Sequence, residues 1–176
     1  MSRRKPLVCA AIAASAFSAI AAAPASAVTA PRQATLTAVG GVELKPNRHV
    51  QDNMHFNKDR VVIRSGGTLT VRNRTGTPHT ISLVKRSDQP RTFRQMEACF
   101  EGGICAELSA AHGVTSPEAE PTVPLVDVGA TGFDRAGDSS LFMEDPLRLK
   151  VTAAAGKNLF YICLIHPWMQ GRIAVR

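Results

Sequence analysis

Short runs that alternate apolar and polar residues, each closed by Gly, Pro or Asn, recur from residue 35 to the end of the chain. Residues 35–39, 60–64, 68–73, 80–84, 147–152, 159–163 and 172–176 carry the two-residue period of half-buried strands. Seven short strands at this spacing can cover their apolar sides only by packing two sheets face to face. The pattern therefore predicts an all-β fold, a two-sheet sandwich with Greek-key links. Ser65-Gly66-Gly67 and Ala155-Gly156-Lys157-Asn158 read as tight hairpin turns. The exception is the segment over 85–137. There Phe93, Met96 and Phe100 recur at helical spacing, as do Ile104, Leu108 and Ala111 before a capping Gly113. Two short helices joined at Gly102-Gly103 are expected, then a Pro-rich linker over 116–124 and a polar loop over 131–138. The segment is too short to own a core, so it reads as a partly helical insertion into the sandwich.

The first 27 residues read as an export signal rather than part of the fold. Arg3, Arg4 and Lys5 precede an apolar run, and Ala25-Ser26-Ala27 forms a small-residue cleavage site. The two arginines also fit a twin-arginine signal loosely. The apolar run is too short to span a bilayer comfortably, so no transmembrane anchor is expected. Residues 28–176 then form a single domain acting in the periplasm or beyond the cell. Losing the three basic residues lowers the net charge from +7 to about +4. That excess is spread along the chain without a Lys/Arg run or interleaved aromatics, which argues against nucleic acid as a partner. With Cys9 in the leader, three of the four cysteines remain, and an odd count in an exported chain leaves one thiol with its own task. Cys99 and Cys105 flank Gly102-Gly103 and can pair in an oxidising compartment, which would leave Cys163 free.

Cys163 opens the densest chemistry in the chain, Cys163-x2-His166-x2-Met169, directly after a strand-like run. Taken singly, Cys163 and Met169 are ordinary core residues and a histidine such as His79 ordinarily caps a loop. Together, a thiolate, an imidazole and a thioether at this spacing make three of the four donors of a blue-copper site, whose fourth donor is a second His. His79, in Pro78-His79-Thr80 at the start of another strand, supplies it. Sulfur donors favour copper over magnesium or calcium, and the lack of a second Cys argues against a Cys-rich structural zinc site. His49, His55 and His112 show no comparable set of neighbours.

These motifs resemble those of the cupredoxins, and within them the amicyanin/plastocyanin-like group. The likeness rests on Gly67-Thr-Leu-Thr-Val71-Arg-Asn73, on Pro78-His79-Thr80, and on Tyr161-x-Cys163-x2-His166-Pro167-x-Met169-x-Gly171. The resemblance implies one type 1 copper ion held by His79, Cys163 and His166, with Met169 on the axis. It also implies a one-electron carrier acting between redox partner proteins, not an enzyme, and a monomer. The chain departs from the small carriers in the long interval between His79 and Cys163. Asn73 is expected to tie the two ligand loops together by hydrogen bonds. Pro167 and Trp168, between two ligands, form a candidate docking surface for a partner. The rival reading is a copper chaperone delivering the ion to an extracytoplasmic oxidase, though Met-rich and His-rich tracts are absent.

Overall fold

The computed structural model describes residues 29–116, 118–143 and 146–176, so the expected export leader and Pro117 of the linker lie outside the described residues. In chain order the strands are β1 (Gln33–Val39), β2 (Val42–Lys45), β3 (His49–Asp52), β4 (His55–Phe56), β5 (Arg60–Ile63), β6 (Gly67–Asn73) and β7 (His79–Val84). Two helices follow, α1 (Phe93–Phe100) and α2 (Ile104–Ala111), and then β8 (Leu125–Val126), β9 (Ser139–Phe142), β10 (Leu147–Val151), β11 (Asn158–Ile162) and β12 (Gln170–Val175). One sheet has the order β10-β6-β1-β4 and the other the order β5-β12-β11-β7-β9-β8, with β2 and β3 forming a separate ribbon. The result is the all-β sandwich expected from the alternating runs. Each of the seven predicted strands is present to within two residues at either end.

The two Gly-rich turns do not make hairpins. Gly67 N–H donates to Arg64 O at 2.9 Å and Lys157 N–H to Ala154 O at 3.2 Å, so both turns form. Yet β5 and β6 belong to opposite sheets, as do β10 and β11. Each turn carries the chain across the core instead of back along a neighbour. Gly67 allows the first crossing, because a Cβ there would lie 2.8 Å from Arg32 O and 2.9 Å from Arg64 O. A hairpin signal fixes only a reversal of direction; which sheet receives the next strand is decided by packing far from the turn.

Between the sheets, Leu36, Leu69, Val71 and Val151 meet Ile63, Ile81, Leu83, Tyr161 and Ile173 in the main core. Tyr161 is wholly buried, stacks edge-on to Phe56 at 5.4 Å, and donates its hydroxyl to Lys58 O at 3.0 Å. Gly171 faces that ring across the β11–β12 pair, Tyr161 opposite Gly171, and has no room for a side chain.

A second apolar cluster lies on the outer face of the six-stranded sheet, where Val84, Ile162 and Leu164 pack against Cys99, Cys105 and Leu108 of the helices. A Cys99–Cys105 disulfide joins α1 to α2, with Cα atoms 4.9 Å apart. Every residue of β7 is consequently buried, on both faces. The predicted helices are where the spacing placed them, but the Phe93–Phe100 stripe faces outward, with Phe93 72% exposed. The disulfide and the sheet below draw in the face bearing Cys99 instead.

Candidate metal centre

His79 is the first residue of β7, and Cys163 follows the last residue of β11, its neighbour in the sheet. His166 lies on the loop that turns from β11 into β12, closed by Met169 N–H donating to His166 O and Cys163 N–H to Met169 O, each at 2.8 Å. This loop is short because its two strands are adjacent and antiparallel, so the ligands sit within a tight reversal. The result is a convergence of three lone-pair atoms. Cys163 Sγ lies 3.7 Å from His79 Nδ1 and 3.8 Å from His166 Nδ1, and the two Nδ1 atoms are 3.2 Å apart.

Donors bound at about 2.0–2.3 Å to one ion stand about 3.4–3.9 Å from one another, by the bond lengths usual for imidazole and thiolate on a transition metal. The observed triangle fits an ion of that size. His79 and Cys163 are fully buried, and the Met169 side chain, 1% exposed, belongs to the same core cluster as Cys163.

The hydrogen bonds behind His79 fix which nitrogen faces the site. The Thr75 hydroxyl donates to Asn73 Oδ1 at 2.8 Å, which uses its only proton. The 2.7 Å contact between Thr75 Oγ1 and His79 Nε2 must therefore be donated by the ring, leaving the Nδ1 lone pair for a metal. Asn73 itself accepts from Thr75 N–H at 2.9 Å and donates Nδ2–H to Thr77 O at 2.6 Å. All these bonds stay within the loop from Asn73 to His79. Asn73 thus does not tie the two ligand loops together: its amide is used in turning its own loop, and it reaches the site through Thr75.

Thr80 makes the link expected of Asn73. Its backbone N–H donates to Cys163 Sγ at 3.4 Å, and its hydroxyl accepts Leu164 N–H at 2.7 Å. Nothing local in the sequence marks Thr75 or Thr80 for these tasks, since both depend on the meeting of β7 with β11.

Burial, joined by repulsion from His166, lowers the pKa of His79 from 6.5 to about 4, and Asp52 opposes this weakly. Burial also lowers that of His166. Both rings are accordingly neutral and able to ligate at pH 7. Desolvation raises the Cys163 thiol pKa, against hydrogen bonds from Thr80, His166 and Ile165 that favour the thiolate. Three unprotonated donors this close repel one another unless a cation lies between them, and a cation that accepts a thiolate releases the thiol proton.

The outer edge of the site is formed by His166, whose side chain is 12% exposed, with Nε2 3.8 Å from Asp52 Oδ2. Trp168 packs edge-on to that ring at 5.2 Å, donates its indole N–H to Met54 O at 3.0 Å, and is 41% exposed. Pro167, proposed from the sequence to share a docking surface with Trp168, is buried, because the tight reversal turns it inward. His49 and His55 are exposed and apart from the cluster, whereas His112 is buried, with a partner on each ring nitrogen.

No family model matches the chain, and no curated protein is similar to it. Among solved structures it is similar to a reduced auracyanin from Roseiflexus castenholzii, at 14% identity over 84% of this chain and 99% of that one, with a TM-score of 0.43. A purple cupredoxin from Nitrosopumilus maritimus aligns at 14% identity over 81% of this chain and 99% of that one, with a TM-score of 0.41. An oxidised plastocyanin from Dryopteris crassirhizoma aligns at 17% identity over 81% and 100% of the two chains, with a TM-score of 0.39.

Proposed function

We propose that this chain is a type 1 copper protein that carries single electrons between redox partner proteins outside the cytoplasm. The observation that carries this reading is the meeting of His79 Nδ1, Cys163 Sγ and His166 Nδ1 at one buried point. Two imidazoles and a thiolate, with the Met169 thioether as a weak fourth donor, form a soft set that suits copper and not a hard cation. Copper, when bound, supplies the Cu(I)/Cu(II) couple. The chain supplies rigidity: His79 is oriented by Thr75, Cys163 by Thr80, and the His166 loop by its two backbone bonds. Donors held this way need not move with oxidation state, so each transfer involves little rearrangement.

His166 is the route in and out for the electron, since it is the only one of the three strong donors with an edge near solvent. Trp168 beside it offers partly exposed aromatic surface to a partner. The leader-like start of the chain and the Cys99–Cys105 disulfide favour an oxidising compartment. Delivery of copper to another protein is the weaker reading, because release would require fully buried donors to be exposed.

The test is the visible spectrum of the copper-loaded protein. An intense thiolate-to-copper band and a blue or green colour are expected. Copper bound through nitrogen and oxygen only, without colour, would refute the proposal.

A further inference from the structure

A line of buried hydroxyls leads away from Cys163 to the helical segment. Thr80 and Ser82 point from β7 toward the helices, and Ser139 opposes Ser82 on β9. Ser82 Oγ donates to Thr80 Oγ1 at 3.0 Å, Ser82 and Ser139 are 2.6 Å apart, and Ser139 Oγ lies 2.7 Å from His112 Nε2. The other ring nitrogen, Nδ1, meets Val123 O. All four side chains are at most 3% exposed.

The protons in this chain can be counted. Val123 O is a carbonyl and only accepts, so Nδ1 carries a proton. Ser82 uses its proton on Thr80, so Ser139 must donate to Ser82, and Nε2 must then donate to Ser139. Both ring nitrogens are donors in this arrangement, which makes His112 an imidazolium. It sits at the C-terminal cap of α2, where the helix dipole favours positive charge. Thr80 Oγ1 accepts from both Leu164 N–H and Ser82, and its own proton remains for Cys163 Sγ.

We infer that His112, more than two shells from the metal donors, is a positioning residue that sets whether the Thr80 hydroxyl donates to the Cys163 sulfur. When Nε2 loses its proton it becomes an acceptor. Ser139 then turns to His112, Ser82 turns to Ser139, and Thr80 turns to Ser82 and away from the sulfur. Hydrogen bonds to the thiolate tune a blue-copper potential. A donor there withdraws charge from sulfur and favours Cu(I), so the potential falls as His112 deprotonates. Solvent reaches the ring through a groove of about 1070 Å³ between α2 and the ligand loop, lined by Thr80, His112, Glu120, Leu164 and Ile165 among others. Among the described residues, Glu120 is the charged side chain that shares this groove, and Glu118 beside it on the linker is exposed. Glu107 lies in the first turn of α2, the far end of the helix. Asp138, before β9, uses its carboxylate on the N–H groups of Val128, Asp134 and Arg135. Neither β7 nor β9 carries another titratable group except His79.

The inference rests on the copper reading only for its effect on potential, so two measurements separate them. Nitrogen-15 NMR of the metal-free protein should show His112 protonated on both nitrogens at low pH and losing the Nε2 proton first as pH rises. Loss from Nδ1 first would overturn the wiring, whatever metal the protein takes. Voltammetry of the copper-loaded protein should show a potential that falls through the pH range in which the NMR signal of His112 shifts. That step should vanish in His112→Gln and, should that variant fold poorly, in Ser139→Ala. The double variant should behave like either single one. A step that persists in either variant overturns the inference even if the protein is blue. A protein that gains no colour refutes the copper reading, and NMR then decides the wiring alone.

Discussion

Acidification of the metal-free protein should expose the cost of burying His79. Its pKa falls from 6.5 in the unfolded chain to about 4 in the fold, first through burial and then through the neighbouring His166. Between those values the unfolded state binds a proton that the folded state refuses, so stability rises with pH across the window. The contribution is complete above about pH 6.5 and is lost progressively as the pH falls toward 4, below which both states are protonated. Each decade of proton affinity is worth about 1.4 kcal/mol, which makes the whole loss about 3 kcal/mol. For a domain of this size that is a large share of a total of about 5–15 kcal/mol.

The assay is urea unfolding of the chelator-treated protein at pH 7.5, 6, 5 and 4, beside the same series for His79→Gln. Gln can still hydrogen-bond near Thr75 but cannot take a proton. The variant should start lower at pH 7.5 and should lose about 3 kcal/mol less than the wild type down to pH 4. Parallel losses in the two proteins would show that His79 is not held neutral by its surroundings. The basis for a ligand ready at neutral pH would then fail.

Further outcomes follow from the same geometry. Cys163→Ser should abolish the visible band of the copper form, while Met169→Gln should lower the reduction potential and Met169→Leu raise it, as voltammetry would show; no change in either Met169 variant removes it as the axial donor. Thr75→Val should leave the fold intact but cost roughly 10–100-fold in copper affinity in a competition titration, because the His79 ring loses the acceptor that fixes its tautomer. Replacing Cys99 and Cys105 by Ser should lower stability by about 2–3 kcal/mol by chain entropy, with the colour retained, since the helices cover the sheet but supply no donor. Gly171→Ala should cost roughly 1–3 kcal/mol in the urea midpoint, because the new Cβ would stand 2.6 Å from Asp59 O and meet the Tyr161 ring.

The parts of this molecule that follow from local periodicity were legible in the sequence, and the parts made by distant contacts were not. β6 alternates buried and half-exposed residues along nearly its whole length, and its sequence shows that period directly. β9 was missed because Ser139-Ser140-Leu141-Phe142 shows no such alternation: both serines are buried, satisfied by groups far away in sequence. The β2–β3 ribbon was also missed, although Val42, Leu44 and Val50 do alternate with polar residues, because all three are exposed and no core confirms the pattern. The donor residues were legible because their spacing is itself the chemistry. Thr75, Thr80 and His112 were not, since each acts through a hydrogen bond whose partner is set by the fold.

Coverage by the helices explains why polar residues are tolerated beneath them. A sandwich sheet with one wet face could leave Thr80, Ser82 and Ser139 to water, with no need for an ordered chain of hydroxyls. Once Cys99, Cys105 and Leu108 seal that face, each buried hydroxyl needs a partner inside the protein, and an unpaired one would cost about 1–3 kcal/mol. The line from Thr80 through Ser82 and Ser139 meets that need only because a residue able to donate or accept stands at its end. His112, at the cap of α2, is that residue. The helical segment that makes this chain longer than its motifs require thus also closes the hydrogen-bond chain that starts at the thiolate. Stability and the electronic setting of the site therefore share residues, and Ser82→Ala should test both at once. It should lower the urea midpoint and, in the copper form, shift the energy of the thiolate band. A lowered midpoint with an unmoved band would separate the two and leave the hydroxyl line as packing alone.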